Sequence, residues 1–164
     1  MTDRPAPEFS HVDGDGILRM VDVGDKPISD RRATASGSIL MEVSTLKAIR
    51  DNTLKKGDVL TTARLAGIMG AKRTAELVPL CHGLTLSDVD VRFKLDDALP
   101  GVHVEASVRT TGQTGVEMEA LTAVTVALLT VYDMAKAVDR AMVITNVVLR
   151  EKRGGTKGDY IADP

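Results

Sequence analysis

From Arg32 to Met41 the chain alternates, with Ala33, Ala35, Gly37, Ile39 and Met41 on one side and Thr34, Ser36 and Ser38 on the other. A period of two predicts a half-buried strand, and the small residues of its inner row predict close approach by something bulky, such as a central helix. Ser44 or Thr45 then offers a cap for a short helix reaching about Asn52. The turn Lys55-Lys56-Gly57-Asp58 leads to a second helix, Val59 to about Lys72, capped by Asp58, with Leu60, Ala63, Ala66, Gly67 and Gly70 at helical spacing. Alternation returns in Val89, Val91, Phe93 and Leu95 against Asp88, Asp90, Arg92 and Lys94, and again in Val102, Val104, Ala106 and Val108. Asp96 to Gly101 joins those two strands as a hairpin.

The longest uncharged run, Ala120 to Tyr132, follows Thr114-Gly115-Val116-Glu117, which fits a capping box. A helix apolar on every face must be buried on every face, here by its own sheet or by a neighbouring subunit. The run is too short for a membrane span, which needs roughly 20 apolar residues. Met142 to Glu151 supplies the last strand. Strand, two helices, strand, strand, helix, strand is the order of a ferredoxin-like α+β fold: an antiparallel sheet with an extra helix in the first crossover and a long buried central helix. Residues 1–17 read as a flexible lead, with Pro5, Pro7 and the cluster Asp13-Gly14-Asp15-Gly16, and residues 18–151 as one domain, opening on the short extended piece Met20-Val21-Asp22-Val23. Residues 152–164 form a glycine-rich basic tail, either an anion-wrapping loop or a frayed end.

A chain of 164 residues suits one domain. With 21 basic against 23 acidic residues and no tryptophan, it offers neither the basic stripe nor the stacking platforms that nucleic acid needs. Cys81 is the single cysteine, which excludes an internal disulfide and the metal sites built on cysteine pairs, while His11, His82 and His103 are scattered. The first ten residues are polar rather than apolar, so a cytoplasmic protein without membrane attachment is expected. Neither a Walker-type phosphate loop nor a G-x-G-x-x-G fingerprint is present.

Charge gathers at the two ends of the apolar run: Glu117 and Glu119 before it, Asp133 and Lys136 after it. At about 1.5 Å of rise per residue, Glu119 and Asp133 stand roughly 21 Å apart along a straight helix. One small ligand cannot touch both, so either the helix bends or a site combines residues of different copies, as a symmetric oligomer allows. Taken singly, each group has a plain alternative. Glu117 is a cap or a functional acid; Asp133 and Lys136 form an i, i+3 surface pair or a reactive one. Lys56 reads as a solvated loop lysine. Lys72 and Arg73 are an exposed helix end or a phosphate grip, and His82, in the loop Pro79-Leu80-Cys81-His82-Gly83-Leu84, is structural or chemical.

Read together, the motifs resemble the molybdenum cofactor biosynthesis protein C family, also called cyclic pyranopterin monophosphate synthase. The matching pieces are Met20-Val21-Asp22-Val23, Lys56-Gly57-Asp58-Val59, Ala63-Arg64-x-Ala66-Gly67-Ile68, Ala71-Lys72-Arg73-Thr74, Pro79-Leu80-Cys81-His82, Thr114 to Ala123, and Tyr132-Asp133-Met134-x-Lys136-Ala137-Val138. They run in order from about Met20 to Tyr160. The resemblance implies a lyase that converts 3′,8-cyclo-7,8-dihydro-GTP, made by a radical S-adenosylmethionine GTP cyclase, to cyclic pyranopterin monophosphate with release of pyrophosphate. It implies a catalytic set of Lys56, His82, Glu117, Glu119, Asp133 and Lys136, with Leu80, Cys81, His82, Met118 and Glu119 lining the substrate. Lys72, Arg73 and Lys157 are assigned to the triphosphate, with no required cofactor or protein-held metal beyond Mg²⁺ accompanying it. A homohexamer, a trimer of dimers with sites at subunit contacts, is implied as well. Two positions depart from the family pattern: Gly83 stands where proline is expected after the histidine, and Gly154-Gly155-Thr156-Lys157-Gly158 where Gly-Gly-Lys-Ser-Gly is expected. The alternative is a non-catalytic oligomeric protein that binds a small molecule, or a structural subunit.

Overall fold

The alternation read from Arg32 is realised in β1 (Ser29–Leu40), whose inner row Ala33, Ala35, Gly37 and Ile39 is buried. The computed structural model describes residues 16–156 and 158–163. After β1 come α1 (Val43–Arg50), α2 (Val59–Lys72), α3 (Thr74–Leu77), β2 (Leu86–Asp96), β3 (Gly101–Gly112), α4 (Glu117–Ala135), β4 (Val143–Arg153) and β5 (Tyr160–Ile161). All pairings are antiparallel and the sheet runs β2-β3-β1-β4-β5. This is the expected ferredoxin-like α+β arrangement, with β5 added at one edge. Helices α2 and α4 pack on one another and on the same face of the sheet.

Small residues set the distance between α4 and the sheet. A Cβ on Gly37 would fall 2.8 Å from both Leu128 Cδ1 and Val124 Cγ1, so only glycine lets the helix seat directly over β1. The core beneath α4 is filled by Val91, Val102, Val104, Val108, Val124, Leu128 and Val131, all almost fully enclosed. The open face of the sheet is charged, as the alternation of β2 requires.

Two local expectations are corrected. Helix α1 starts at Val43 with Glu42 as its cap, not Ser44 or Thr45, because the Glu42 N–H donates to Asp139 Oδ2 at 2.9 Å from across the fold. Helix α4 starts at Glu117 with Val116 at the cap and no side-chain cap; Thr114 does not form the box, and the Glu117 carboxylate turns to Lys152. Within the single chain the sheet side of this helix is the buried one. Ala120, Ala123, Val124, Ala127, Leu128 and Val131 are buried, whereas Met118, Thr125 and Leu129 face outward. By length and composition its 19 residues could cross a membrane, yet half of that stretch lies inside the core. Met20–Val23, read as a short extended piece, is assigned to no strand.

The tail is tied down where it is described. β4 runs on to Arg153, and β5 pairs with it through Glu151 to Ile161 and Lys152 to Tyr160. Of the lead, residues 1–15 lie outside the described residues.

Candidate active site

Helix α4 carries acidic and basic groups at its two ends and none between. At its N-terminal end, Glu117 and Glu119 sit in the first turn, facing the loop that follows α3. A cleft of about 350 Å³ opens there, lined by Leu80, Cys81, His82, Met118, Glu119, Val21 and Lys26 among others.

Glu119 is only 4% exposed, and burial pushes its carboxyl up to about 6, the charge of Glu117 adding to the effect. Ionising a carboxyl away from water is costly, so the group stays protonated closer to neutrality than an exposed glutamate does. Cys81 is pushed up in the same way, by burial first and by the Glu119 charge second, which leaves a thiol rather than a nucleophilic thiolate. His82 Nε2 donates to the Val21 carbonyl at 2.8 Å. A carbonyl can only accept, so in the neutral ring Nδ1 is the proton acceptor.

Two further cavities adjoin this cleft. One, of about 300 Å³, is lined by Lys72, Arg73, Glu76, His82, Gly83 and Glu119. The other, of about 180 Å³, lies behind Glu117 and is lined by Lys26, Arg31, Gln113, Lys152, Gly155 and Thr156 among others. There Lys152 Nζ sits 3.0 Å from Glu117 Oε1, both side chains largely buried. Arg31 is 7% exposed; its Nε donates to the Gly112 carbonyl at 2.9 Å, while Nη2 is buried without a partner among the described residues. A buried guanidinium donor left unpaired costs free energy, and an anion in the cavity would remove that cost. The turn after β4 covers this guanidinium. Gly155 has φ +89°, and a Cβ there would fall 2.2 Å from Arg31 Nη1.

At the C-terminal end of α4 the geometry is different. Lys56 Nζ donates to both Asp133 Oδ2 and the Asp133 carbonyl at 2.8 Å, and Lys136 Nζ lies 2.7 Å from Asp133 Oδ1. One carboxylate thus bridges two ammonium groups. Hydrogen bonds from Lys136 and then Lys56 pull Asp133 down to about 2, and Asp133 in turn holds the Lys136 ammonium above its ordinary range. In this arrangement the Lys136 side chain is held as the ammonium. Lys56, which in isolation reads as a solvated loop lysine, is part of the cluster.

The expected site residues therefore form two groups. Leu80, Cys81, His82, Glu117, Met118, Glu119, Lys72 and Arg73 gather at one end of α4, and Lys56, Asp133 and Lys136 at the other. The structure does not bring the groups together within one chain. Lys157 lies outside the described residues. Sequence reasoning missed Lys26, Arg31, Gln113 and Lys152. Arg31 had a signal, since it shares the parity of Ala33 and Ala35; Lys152 had none, because the register shift between Thr34 and Ala35 is what sets it opposite Ala33.

Residues 20–155 match the family model described as the MoaC family, a span that takes in every candidate group above except Thr156 and Lys157. Enzymes of that family act in molybdenum cofactor biosynthesis. With most of its length matched, and with the family's charged motifs folded into clusters at both ends of α4, the chain belongs to the MoaC family.

Proposed function

We propose that the chain is a cyclic pyranopterin monophosphate synthase, a lyase that rearranges 3′,8-cyclo-7,8-dihydro-GTP to cyclic pyranopterin monophosphate and releases pyrophosphate. A radical S-adenosylmethionine GTP cyclase would supply the substrate. The observation that carries this proposal is the Asp133 carboxylate shared by Lys136 and by Lys56, the latter from 77 residues away. A binding protein has no need of two lysines on one acid; a reaction that moves several protons does.

Opening a purine-derived ring and closing a pyrazine takes successive proton transfers, each best served by a group near its own pKa. Lys136, held protonated, is placed to act as an acid. When substrate draws one ammonium off Asp133, the other keeps the carboxylate ionised, and the displaced lysine can exchange a proton. At the other half-site Glu119, near 6, gives or takes a proton close to neutral pH, and His82 accepts through Nδ1. Closure of the cyclic phosphate joins a substrate hydroxyl oxygen to the α-phosphorus and breaks the bond to the oxygen bridging to the β-phosphorus. The hydroxyl proton goes to a base and pyrophosphate leaves. Lys26, Arg31 and Lys152 outnumber the single Glu117 in their cavity and suit the departing end; Lys72 and Arg73, beside Glu76 and Glu119, add positive charge from the far side. Mg²⁺ enters this scheme as a counterion of the polyphosphate.

A complete site then needs the N-terminal end of one α4 and the C-terminal end of another, in a homohexamer built as a trimer of dimers. The outward faces of α2 and α4 support such assembly, with Leu65 60% and Leu129 58% exposed.

The test is pyrophosphate release from the cyclised nucleotide. Lys56→Ala and Lys136→Ala should each lower the rate roughly 10²–10⁴-fold, the usual contribution of a positioned acid or base. Binding of the nucleotide by the wild-type chain without any release would instead favour the non-catalytic binding protein.

A further inference from the structure

Between β3 and α4, the Gln113 side chain makes two contacts that the scheme above does not use. Its Nε2 donates to the Gly24 carbonyl at 2.7 Å and to the Lys26 carbonyl at 3.0 Å. Both carbonyls belong to one turn, closed by the Lys26 N–H donating to the Val23 carbonyl at 3.0 Å and by Asp22 Oδ1 accepting the Gly24 N–H at 2.8 Å. Among the described residues, 19–28 pair with no strand of the sheet, and side chains from elsewhere hold the segment. Two do so: His82 at Val21, and Gln113 at the turn itself.

Lys26 lines both the central cleft and the Arg31 cavity. The residue before Gln113, Gly112, supplies the carbonyl that holds Arg31 Nε. Two consecutive residues therefore seat two of the three cations of that cavity, one by its backbone and one by its side chain. A lysine on an unpaired segment would otherwise be ordered only when the anion arrived, and that ordering would be subtracted from its affinity.

We propose that Gln113 is a positioning residue: by clamping the turn at residues 23–26 it presets Lys26 over the Arg31 cavity to receive the terminal phosphates of a nucleoside-triphosphate-like substrate. This role rests on the polyphosphate assignment of that cavity made above.

The experiment is calorimetric titration of inorganic pyrophosphate into the assembled protein at fixed salt. Wild type, Gln113→Met, Gln113→Asn, Lys26→Met and the double variant Lys26→Met with Gln113→Met are compared. Methionine keeps the length without the donor, and asparagine keeps the donor without the reach. Each Gln113 variant should bind pyrophosphate about 10-fold more weakly, the order expected for losing two neutral hydrogen bonds from an exposed turn. In the Lys26→Met background the Gln113→Met loss should vanish, because a residue acting through Lys26 has nothing left to position. General weakening of the fold would not produce that coupling. Amide exchange at Lys26 should also quicken in the Gln113 variants. Unchanged affinity in both Gln113 variants, or a full Gln113→Met loss in the Lys26→Met background, overturns the positioning role alone. Absence of pyrophosphate binding by wild type overturns the polyphosphate assignment and the positioning role together.

Discussion

Glu119 and Asp133 are carboxylic acids of the same helix pushed in opposite directions. Burial lifts Glu119 to about 6, whereas two ammonium groups pull Asp133 down to about 2. They stand roughly 21 Å apart along the axis at about 1.5 Å per residue. One end of α4 keeps a proton near neutrality, and the other keeps a negative charge down to strongly acid pH.

The raised Glu119 carboxyl carries a stability cost with a definite sign. A carboxyl whose folded pKa is raised costs nothing while protonated in both states. The cost grows as pH rises from the ordinary glutamate value through about 6 and is complete above it. Glu119→Gln should therefore gain up to about 2 kcal/mol at pH 8, since each tenfold change in proton affinity is worth about 1.36 kcal/mol, with the gain fading below about pH 4.5. Denaturant titrations at both pH values check this; an equal difference at the two would show that folding does not raise the group.

Asp133→Asn removes the charge that holds the Lys136 ammonium above its ordinary range. The Lys136 titration, followed by NMR of its Cε or Nζ, should move to lower pH in that variant. Activity should fall with it if Lys136 has to deliver a proton. Both lysines are half-exposed, so little change in stability is expected.

Gly155→Ala places a methyl where Arg31 Nη1 now lies, in a backbone conformation that side chains seldom adopt. A loss of roughly 1–3 kcal/mol is expected, the scale of a strained φ. Pyrophosphate affinity should weaken as the guanidinium is displaced. Retention of both stability and affinity would mean that the turn does not bear on Arg31.

If sites combine the ends of different helices, two inactive variants should repair each other. His82→Ala spoils one half-site and Lys136→Ala the other. After mixing and reassembly about one quarter of sites would pair two intact halves in a two-fold arrangement. Pyrophosphate release should recover toward that fraction, whereas sites contained in single chains would recover nothing.

Gly83→Ala should stabilise the His82 loop. Nothing lies within 4 Å of where its Cβ would be, and the backbone there lies outside the left-handed region. Restricting the unfolded chain is worth roughly 0.4–1 kcal/mol at such positions. A higher denaturation midpoint with an unchanged slope would show it.

How much of the fold is legible in the sequence depends on the range of the interaction. The alternation in β1, β2 and β3 and the Asp58 cap of α2 are local, and each appears where the pattern puts it; Asp58 Oδ1 accepts the Thr61 N–H at 3.0 Å. The start of α1 is not legible in this way, because the Glu42 amide before it is satisfied by Asp139, a partner that no local pattern can show. Thr114 fails as a cap for a related reason: Glu117 is drawn to Lys152 on a strand near the end of the chain. The site divides the same way. His82, Glu119 and Lys136 are visible as motif letters, but the convergence of Lys56 on Asp133 and the seating of Arg31 under a glycine turn exist only after folding.

Helix α4 also works as a ruler. Loss of one residue between Ala120 and Tyr132 would swing Asp133 and Lys136 by about 100° and draw them in by about 1.5 Å relative to Glu119. The same deletion would rotate half of the buried stripe off β1. A change of length in this rod is therefore unlike a substitution, since metric and orientation fail in a single event.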